Sequence, residues 1–421
     1  MKCTVHGHGL YAWVTAVRLA QAGHHVILLS DEQPTDEVLH EPDLMREADE
    51  MLGSGRLTCY TGVTRSDDNV HWLALDGDAN ALVWRAAGLL QSTQGDLTVI
   101  CLNTTPVGLL DSLQHRLTRL GGERRVRVLG LPLFIRAGRA LADFSAPDQL
   151  LIGEPEAGEG AVLMDWLRPY SRNARDTQIV PLAAAELIKF GINAMLATRV
   201  SFMNELAGLT ERLGIDIEVV RQGLASDPRV GGAYLEPGCG FGGPSFTDEL
   251  FAFAETLREA GGQPGLLDAV LRINAEQRDK PFRLLWRHFD GQLAGRTIAV
   301  WGASYKPGTA SVDHSPVHPL LKALHAQGAC VRLYDPLAMD TLRTQVPEGS
   351  GMHYAESAES AIEQADALVL LTAWPEFFNP DYRYLAAAMR HPVIVDGRNV
   401  FDPQIMAAHG FRYYGIGRGA G

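Results

Sequence analysis

Apolar positions in this 421-residue chain follow two patterns. Short apolar runs alternate with amphipathic stretches at both ends, and a long apolar stretch without strand signals separates them. "KCTVHGHGLYAWVTAVRLAQAGHHVILL" reads as strand, glycine turn, amphipathic helix and strand. Val14, Val17, Leu19 and Ala20 recur at near-helical spacing, and Val26 to Leu29 are apolar on both sides, as in a buried parallel strand. "LTCY", "VHWLAL", "LTVICLN", "RVRVLG" and "QLLIG" are further strand candidates, mostly separated by helical stretches. This alternation predicts a doubly wound parallel sheet. From Asp176 to about Asp290 no strand is expected. "QIVPLAAAELIKFGINAMLATRVSFMNELAGLTERLG" carries Leu187, Ile188, Phe190, Ile192, Met195, Leu196 and Val200, too many for one stripe. Such a helix is expected to be buried between domains or subunits.

At "GRTIAVWGASYKP" the alternation returns, with "IAVWG", "CVRLYDP", "ALVLLTAW" and "PVIVDGRN" as core strands. The expected fold class is α/β, with two Rossmann-like doubly wound domains joined by a long central helix and a helical region. The expected limits are 1–178 for a dinucleotide-binding domain, 179–289 for the central region and 290–421 for the second α/β domain. The two halves share architecture but no sequence period.

Composition narrows the partners. Apolar content is 46% and charged content 21%, which suits a globular chain, and a net charge of −13 argues against nucleic acid or an anionic membrane surface. Any positive charge needed for an anionic ligand must be local. The cysteines (Cys3, Cys59, Cys101, Cys239, Cys330) are odd in number and lack metal spacing, so reduced thiols in the cytoplasm and no metal site are expected. The N-terminus reads as a strand rather than a signal peptide. No apolar run approaches the roughly 20 residues of a membrane span.

"GHGLYA" fits G-x-G-x-x-A between a strand and a helix. Gly7, Gly9 and Ala12 are therefore candidates to hold the pyrophosphate of NAD at a helix N-terminus. The acidic residue expected about 20 positions on should end the second strand. That place is Ser30. Asp31 comes one step later and points differently, because side chains alternate across a strand. It remains the candidate ribose ligand.

Several stretches together resemble the UDP-glucose 6-dehydrogenase family of nucleotide-sugar dehydrogenases. They are "GHGLYAWVTA", "EPDLMREADEMLGSGRL", "NTTPVG", "ELIKFGINAMLATRVSFMNEL", "DPRVGGAYLEPGCGFGG", "SYKPGTASVDHSP", "VRLYDP", "DGRNVFDP" and "YYGIGR", in the family's order over essentially the whole chain. The resemblance implies NAD-linked oxidation of a UDP-sugar at C6. A first hydride transfer gives an aldehyde. A cysteine thiolate then adds, a second transfer leaves a thioester, and water releases the carboxylate. It also implies a homodimer formed through the central helices.

Carried onto this chain, the resemblance keeps some positions and loses others. Lys189 and Asn193 match the pair that holds the oxyanion. Thr104 matches a threonine that positions water. Arg229, Tyr234, Phe241, Gly242, Lys306 and Arg398 match positions near the substrate, the cofactor or the domains' contact. The nucleophilic cysteine is replaced by Ser245 in "GFGGPSFTDE", the family's lysine by Asp248 and its aspartate by Glu249. The glutamate that serves thioester hydrolysis is Leu133, and an arginine near the cofactor is Asp313.

Ser245 has three readings. It precedes an expected helix, "FTDELFAFAETL", and so reads first as an N-cap or a remnant, with Thr247 and Asp248 as rival caps. It reads second as a nucleophile, which would need an adjacent base. A serine hydrolase is a poor fit, since the motif has no G-x-S-x-G elbow and no nearby histidine. Cys239, in the same loop, is a candidate relocated thiol. Two functions stay open: a UDP-sugar dehydrogenase with impaired or altered full oxidation, and a non-catalytic UDP-sugar-binding or partner-binding protein on the same scaffold.

Overall fold

A computed structural model describes residues 1–62, 66, 68–75, 79–349 and 351–418, apart from the side chains of Ala79 and Ser245. The chain divides into two compact units, Met1–Ile192 and Asn193–Gly421. The division falls inside one helix, Leu182–Leu213.

The first unit is built on eight strands: β1 (Lys2–His6), β2 (His25–Ser30), β3 (Leu57–Thr61), β4 (Val70–Leu73), β5 (Leu97–Cys101), β6 (Val126–Gly130), β7 (Gln149–Glu154) and β8 (Asp176–Pro181). Their order is β3-β2-β1-β4-β5-β6-β7-β8. All pairs are parallel except β6 with β7, which meet antiparallel at Gly130 and Gly153. Alternate residues feed two cores. Val99 and Cys101 pack with the Ala79–Ser92 and Leu109–Gly121 helices, while Ile100 and Leu102 pack on the other face with the Leu10–Gln21 helix. Each such fully buried side chain stabilises by roughly 1.5–3 kcal/mol, which is why both faces of the sheet are covered. β1 lies between β2 and β4, so the strand order reverses there, and the glycine turn leaves from its carboxyl end. Crevices at such reversals are the ligand sites of open α/β sheets.

β8 corrects the expectation that strands stop at Asp176. It pairs with β7 from Gln149–Asp176 to Glu154–Pro181. Its residues are mostly exposed, and DTQIVP ends in proline on a sheet edge. An exposed edge strand carries no apolar alternation to read.

The second unit holds β9 (Thr297–Trp301), β10 (Cys330–Tyr334), β11 (Met352–Tyr354), β12 (Ala367–Leu370), β13 (Val393–Asp396) and β14 (Arg412–Gly415), all parallel, in the order β11-β10-β9-β12-β13-β14. Val300 and Val369 face one core, and Trp301 and Leu370 the other. The helices Pro244–Glu259 and Gly265–Arg278 add a separate apolar layer with Ala194, Ala197, Leu250 and Leu267.

The long helix is not apolar-buried all round within the chain. Leu187, Met195, Phe202 and Leu209 are 47%, 63%, 50% and 50% exposed. They recur at seven- or eight-residue steps, two helical turns apart. Among the described residues no helix is long and apolar enough to cross a membrane.

Candidate functional site

In the first unit, the glycine turn forms as the sequence predicts. Gly7 has φ +136°, and a Cβ there would lie 2.0 Å from the Ala74 carbonyl oxygen. Gly9 caps the Leu10–Gln21 helix, with Ala12 buried in its first turn. A dinucleotide pyrophosphate fits this turn and helix end. The ribose end is less open. The Ser30 hydroxyl donates back to the Glu32 carbonyl. Asp31 pairs with Arg85 from the Ala79–Ser92 helix. Beneath the turn, His71 Nε2 donates to the Asp68 carbonyl at 2.7 Å, so His6 Nε2 must donate to His71 Nδ1 at 3.0 Å. Both rings stay neutral. Burial first, then the neighbouring His71 and Arg85, push His6 down to about 3.

Thr104 is half-buried beside Thr105. Thr105 Oγ1 donates to Glu186 at 2.8 Å, and the Gly108 and Leu110 amides donate to the same carboxylate at 2.6 and 3.1 Å. Glu186 thus caps the Leu109–Gly121 helix from the long helix. It is 3% exposed, and burial outweighs the three donors and raises its pKa to about 7. One turn on, Lys189 is 5% exposed and donates to the Leu133 carbonyl at 2.9 Å, with Nζ 4.5 Å from the Phe134 ring centre. The Leu133 side chain sits in the apolar core, where no proton can be exchanged.

In the second unit the glycine loop is held from three sides. Asn274 accepts from the Phe241 amide at 2.8 Å and donates to its carbonyl at 3.0 Å. Arg398 donates to the Gly240 carbonyl at 2.9 Å and the Leu371 carbonyl at 2.7 Å. The buried Gly242 and Gly243 lie against Tyr305 and His314. Two buried guanidinium nitrogens at this loop, Arg398 Nη2 and Arg278 Nε, find no acceptor among the described residues. Phe241, Phe246 and Tyr234 form an aromatic group, with centroids 5.1 and 6.5 Å apart. Lys306 lies 5.5 Å from the Tyr305 ring centre.

The helix after the loop starts at Pro244, and its N-cap is Gly243. Ser245, Thr247 and Asp248 are therefore all inside the helix, which overturns the cap reading for each. Gly243 can take this place because its φ is +94°. The Ser245 side chain lies outside the described residues. Glu249, one turn further, accepts from Asn193 Nδ2. Asp248 lies 2.9 Å from His314 Nε2.

Cys239 is not a relocated nucleophile. It is fully buried, its sulfur faces the Leu371 carbonyl at 3.8 Å, and burial raises its pKa. Both effects suppress the thiolate. Arg229 is 88% exposed at its side chain and forks onto Asp227, the arrangement of a surface ion pair. Sequence reading missed Glu186, Asn274, Arg278 and His314. Glu186 sits in an apolar helix whose period conceals it, and Asn274 is one polar residue among several on its own helix. His314 follows Asp313 in a loop, where only the fold could place it opposite Asp248.

The central-domain model of the UDP-glucose/GDP-mannose dehydrogenase family matches residues 183–276, and the family's UDP-binding-domain model matches residues 299–403. The chain is 34% identical to the UDP-glucose 6-dehydrogenase of Pseudomonas aeruginosa, covering 99% of this chain and 98% of that one. It is 31% identical to the Rhizobium meliloti UDP-glucose 6-dehydrogenase over 99% of this chain and 100% of the other. The structure superposes on a UDP-glucose dehydrogenase from the archaeon Pyrobaculum islandicum with a TM-score of 0.87 and 28% identity, over 99% and 97% of the two chains. With likeness running end to end in both sequence and fold, this chain belongs to the UDP-glucose/GDP-mannose dehydrogenase family and is UDP-glucose 6-dehydrogenase-like throughout.

Proposed function

We propose that the protein oxidises the primary alcohol at C6 of a UDP-sugar, UDP-glucose in the first instance, with NAD as hydride acceptor. Release of the carboxylate is slowed. The observation that carries this reading is the Asn193–Glu249 contact at the start of the Pro244–Glu259 helix. It keeps a hydrogen-bond donor and a carboxylate one turn from residue 245, where C6 chemistry would take place. The orphaned nitrogens of Arg398 and Arg278 support an anionic ligand at the glycine loop, as a UDP diphosphate is.

NAD supplies an acceptor for the hydride leaving C6. Gly7, Gly9 and the Leu10–Gln21 helix end would hold its pyrophosphate, with Asp31 toward the ribose. Lys189 and Asn193 would stabilise negative charge on the C6 oxygen. Thr104, held through its neighbour by Glu186, would place water. Leu133 offers no base for that water, so the last step is the slow one. The long helix's exposed Met195, Phe202 and Leu209 support a homodimer through that face. The alternative, a UDP-sugar-binding protein without turnover, is favoured by Ser245 and Leu133 together. Counting NADH formed per UDP-glucose separates the two readings.

A further inference from the structure

We propose that Asp31 and Arg85 together read the 2′ position of the dinucleotide's adenosine ribose, Asp31 taking a hydroxyl and Arg85 a phosphate, so that the first unit accepts NADP as well as NAD. The proposal deepens the dehydrogenase reading, on which it rests, by widening the class of its cofactor.

In an open α/β sheet the residue that ends the second strand meets the ribose of a dinucleotide whose pyrophosphate sits at the glycine turn. A carboxylate there accepts from the 2′-hydroxyl and repels a 2′-phosphate. In this chain the strand-end residue is the buried Ser30, and its hydroxyl donates to the Glu32 carbonyl. The charge that would exclude a phosphate is therefore missing from that position.

Arg85 arrives from the far side of β1. Its helix, Ala79–Ser92, packs through Leu82, Ala86 and Leu89 with Leu73 of β4 and Val99 of β5. β1 lies between β4 and β2. A side chain that starts on this helix and pairs with Asp31, one residue past β2, crosses the carboxyl end of β1, where the glycine turn begins. His6, the last residue of β1, feels that charge: burial, His71 and then Arg85 lower its pKa. The guanidinium thus lies over the crevice where the strand order reverses, which is where a dinucleotide crosses such a sheet.

The pair is suited to a choice between two ligands. The Asp31 side chain is half exposed, and an ion pair in solvent is weak, so a ligand can open it. A carboxylate has room for several donors, and Asp31 can accept from a 2′-hydroxyl while it keeps Arg85. A 2′-phosphate instead draws Arg85 away, because a guanidinium binds phosphate through two parallel hydrogen bonds. Arg85 meanwhile offsets the charge of Asp31, which would otherwise repel that phosphate. Glu32, the next acid, is largely exposed, and its carboxylate lies 3.8 Å from His8 Nε2 in the glycine turn.

The test is calorimetry of the full-length protein with NAD and with NADP, and with UDP as a check that each variant is folded. We expect the two dinucleotides to bind within about tenfold of each other. Arg85→Gln should weaken NADP by about tenfold or more and leave NAD unchanged or tighter. Asp31→Asn should do the reverse, weakening NAD and tightening NADP, because it removes an acceptor for the hydroxyl and frees the guanidinium. UDP affinity should stay the same in both variants. A parent that prefers NAD by about 100-fold or more, or variants that shift both dinucleotides by the same factor, overturns the proposal. If UDP binds and neither dinucleotide does, the NAD-linked reading itself falls and takes the proposal with it.

Discussion

Glu186 shows what a single residue does outside the reacting centre. Its carboxylate joins the Thr104 loop to the helix that carries Lys189, through one hydroxyl and two amides. Its pKa rises from 4.5 to about 7 because burial outweighs those bonds. The sign follows from linkage. A carboxyl with a raised folded pKa lends stability that is fully present below its unfolded pKa and is lost as pH rises through the folded one. The window is from about 4.5 to about 7. The loss across it is on the order of 3 kcal/mol. Urea unfolding at pH 5 and at pH 7.5 should show Glu186→Gln with a flatter slope than the parent. Equal slopes would mean that Glu186 titrates normally. The signal for this residue was faint in sequence, because an acid in an apolar helix looks the same whether it meets solvent or caps a neighbouring helix. Lys189 was easier, since its apolar neighbours left it no solvated face.

At the scale of elements, the glycine loop depends on backbone geometry. Gly243 combines φ +94° with a virtual Cβ 2.7 Å from the Tyr305 ring. Gly243→Ala therefore meets strain and a clash together. We expect a loss of about 1–3 kcal/mol in stability, read from the denaturation midpoint, and weaker UDP binding. A neutral variant would mean that the loop can reseat. Most of the strands were legible because parallel strands covered on both faces are continuous apolar runs, as in "LTVICLN" and "ALVLLTAW". β8 was not, being an exposed edge. The start of the Pro244–Glu259 helix was missed by two residues. The apolar pattern begins at Phe246, whereas Pro244 at the first helical position and a left-handed Gly243 set the real boundary. That shift moved Ser245 from the cap into the first turn of the helix.

For the whole molecule, assembly and activity are separate questions. The exposed row on the long helix leads us to expect a dimer, and Phe202→Asp should shift the mass by light scattering toward one chain. An unchanged dimer would place the interface elsewhere. The candidate site was legible in outline because the motifs of the family are local. Its decisive contacts were not, since Asp248–His314, Asn193–Glu249 and Arg398–Gly240 join residues far apart in sequence.

The most direct measurement of function is NADH formation from UDP-glucose and NAD, with protein at concentrations comparable to the sugar, counted per sugar consumed. NADH formed in step with the UDP-glucose consumed, fast at first and then slow, is the expected result: C6 is oxidised, and release of the product limits the cycle. One NADH per sugar would place the block at the aldehyde, and two would place it at release of the carboxylate. No NADH would contradict the dehydrogenase reading itself.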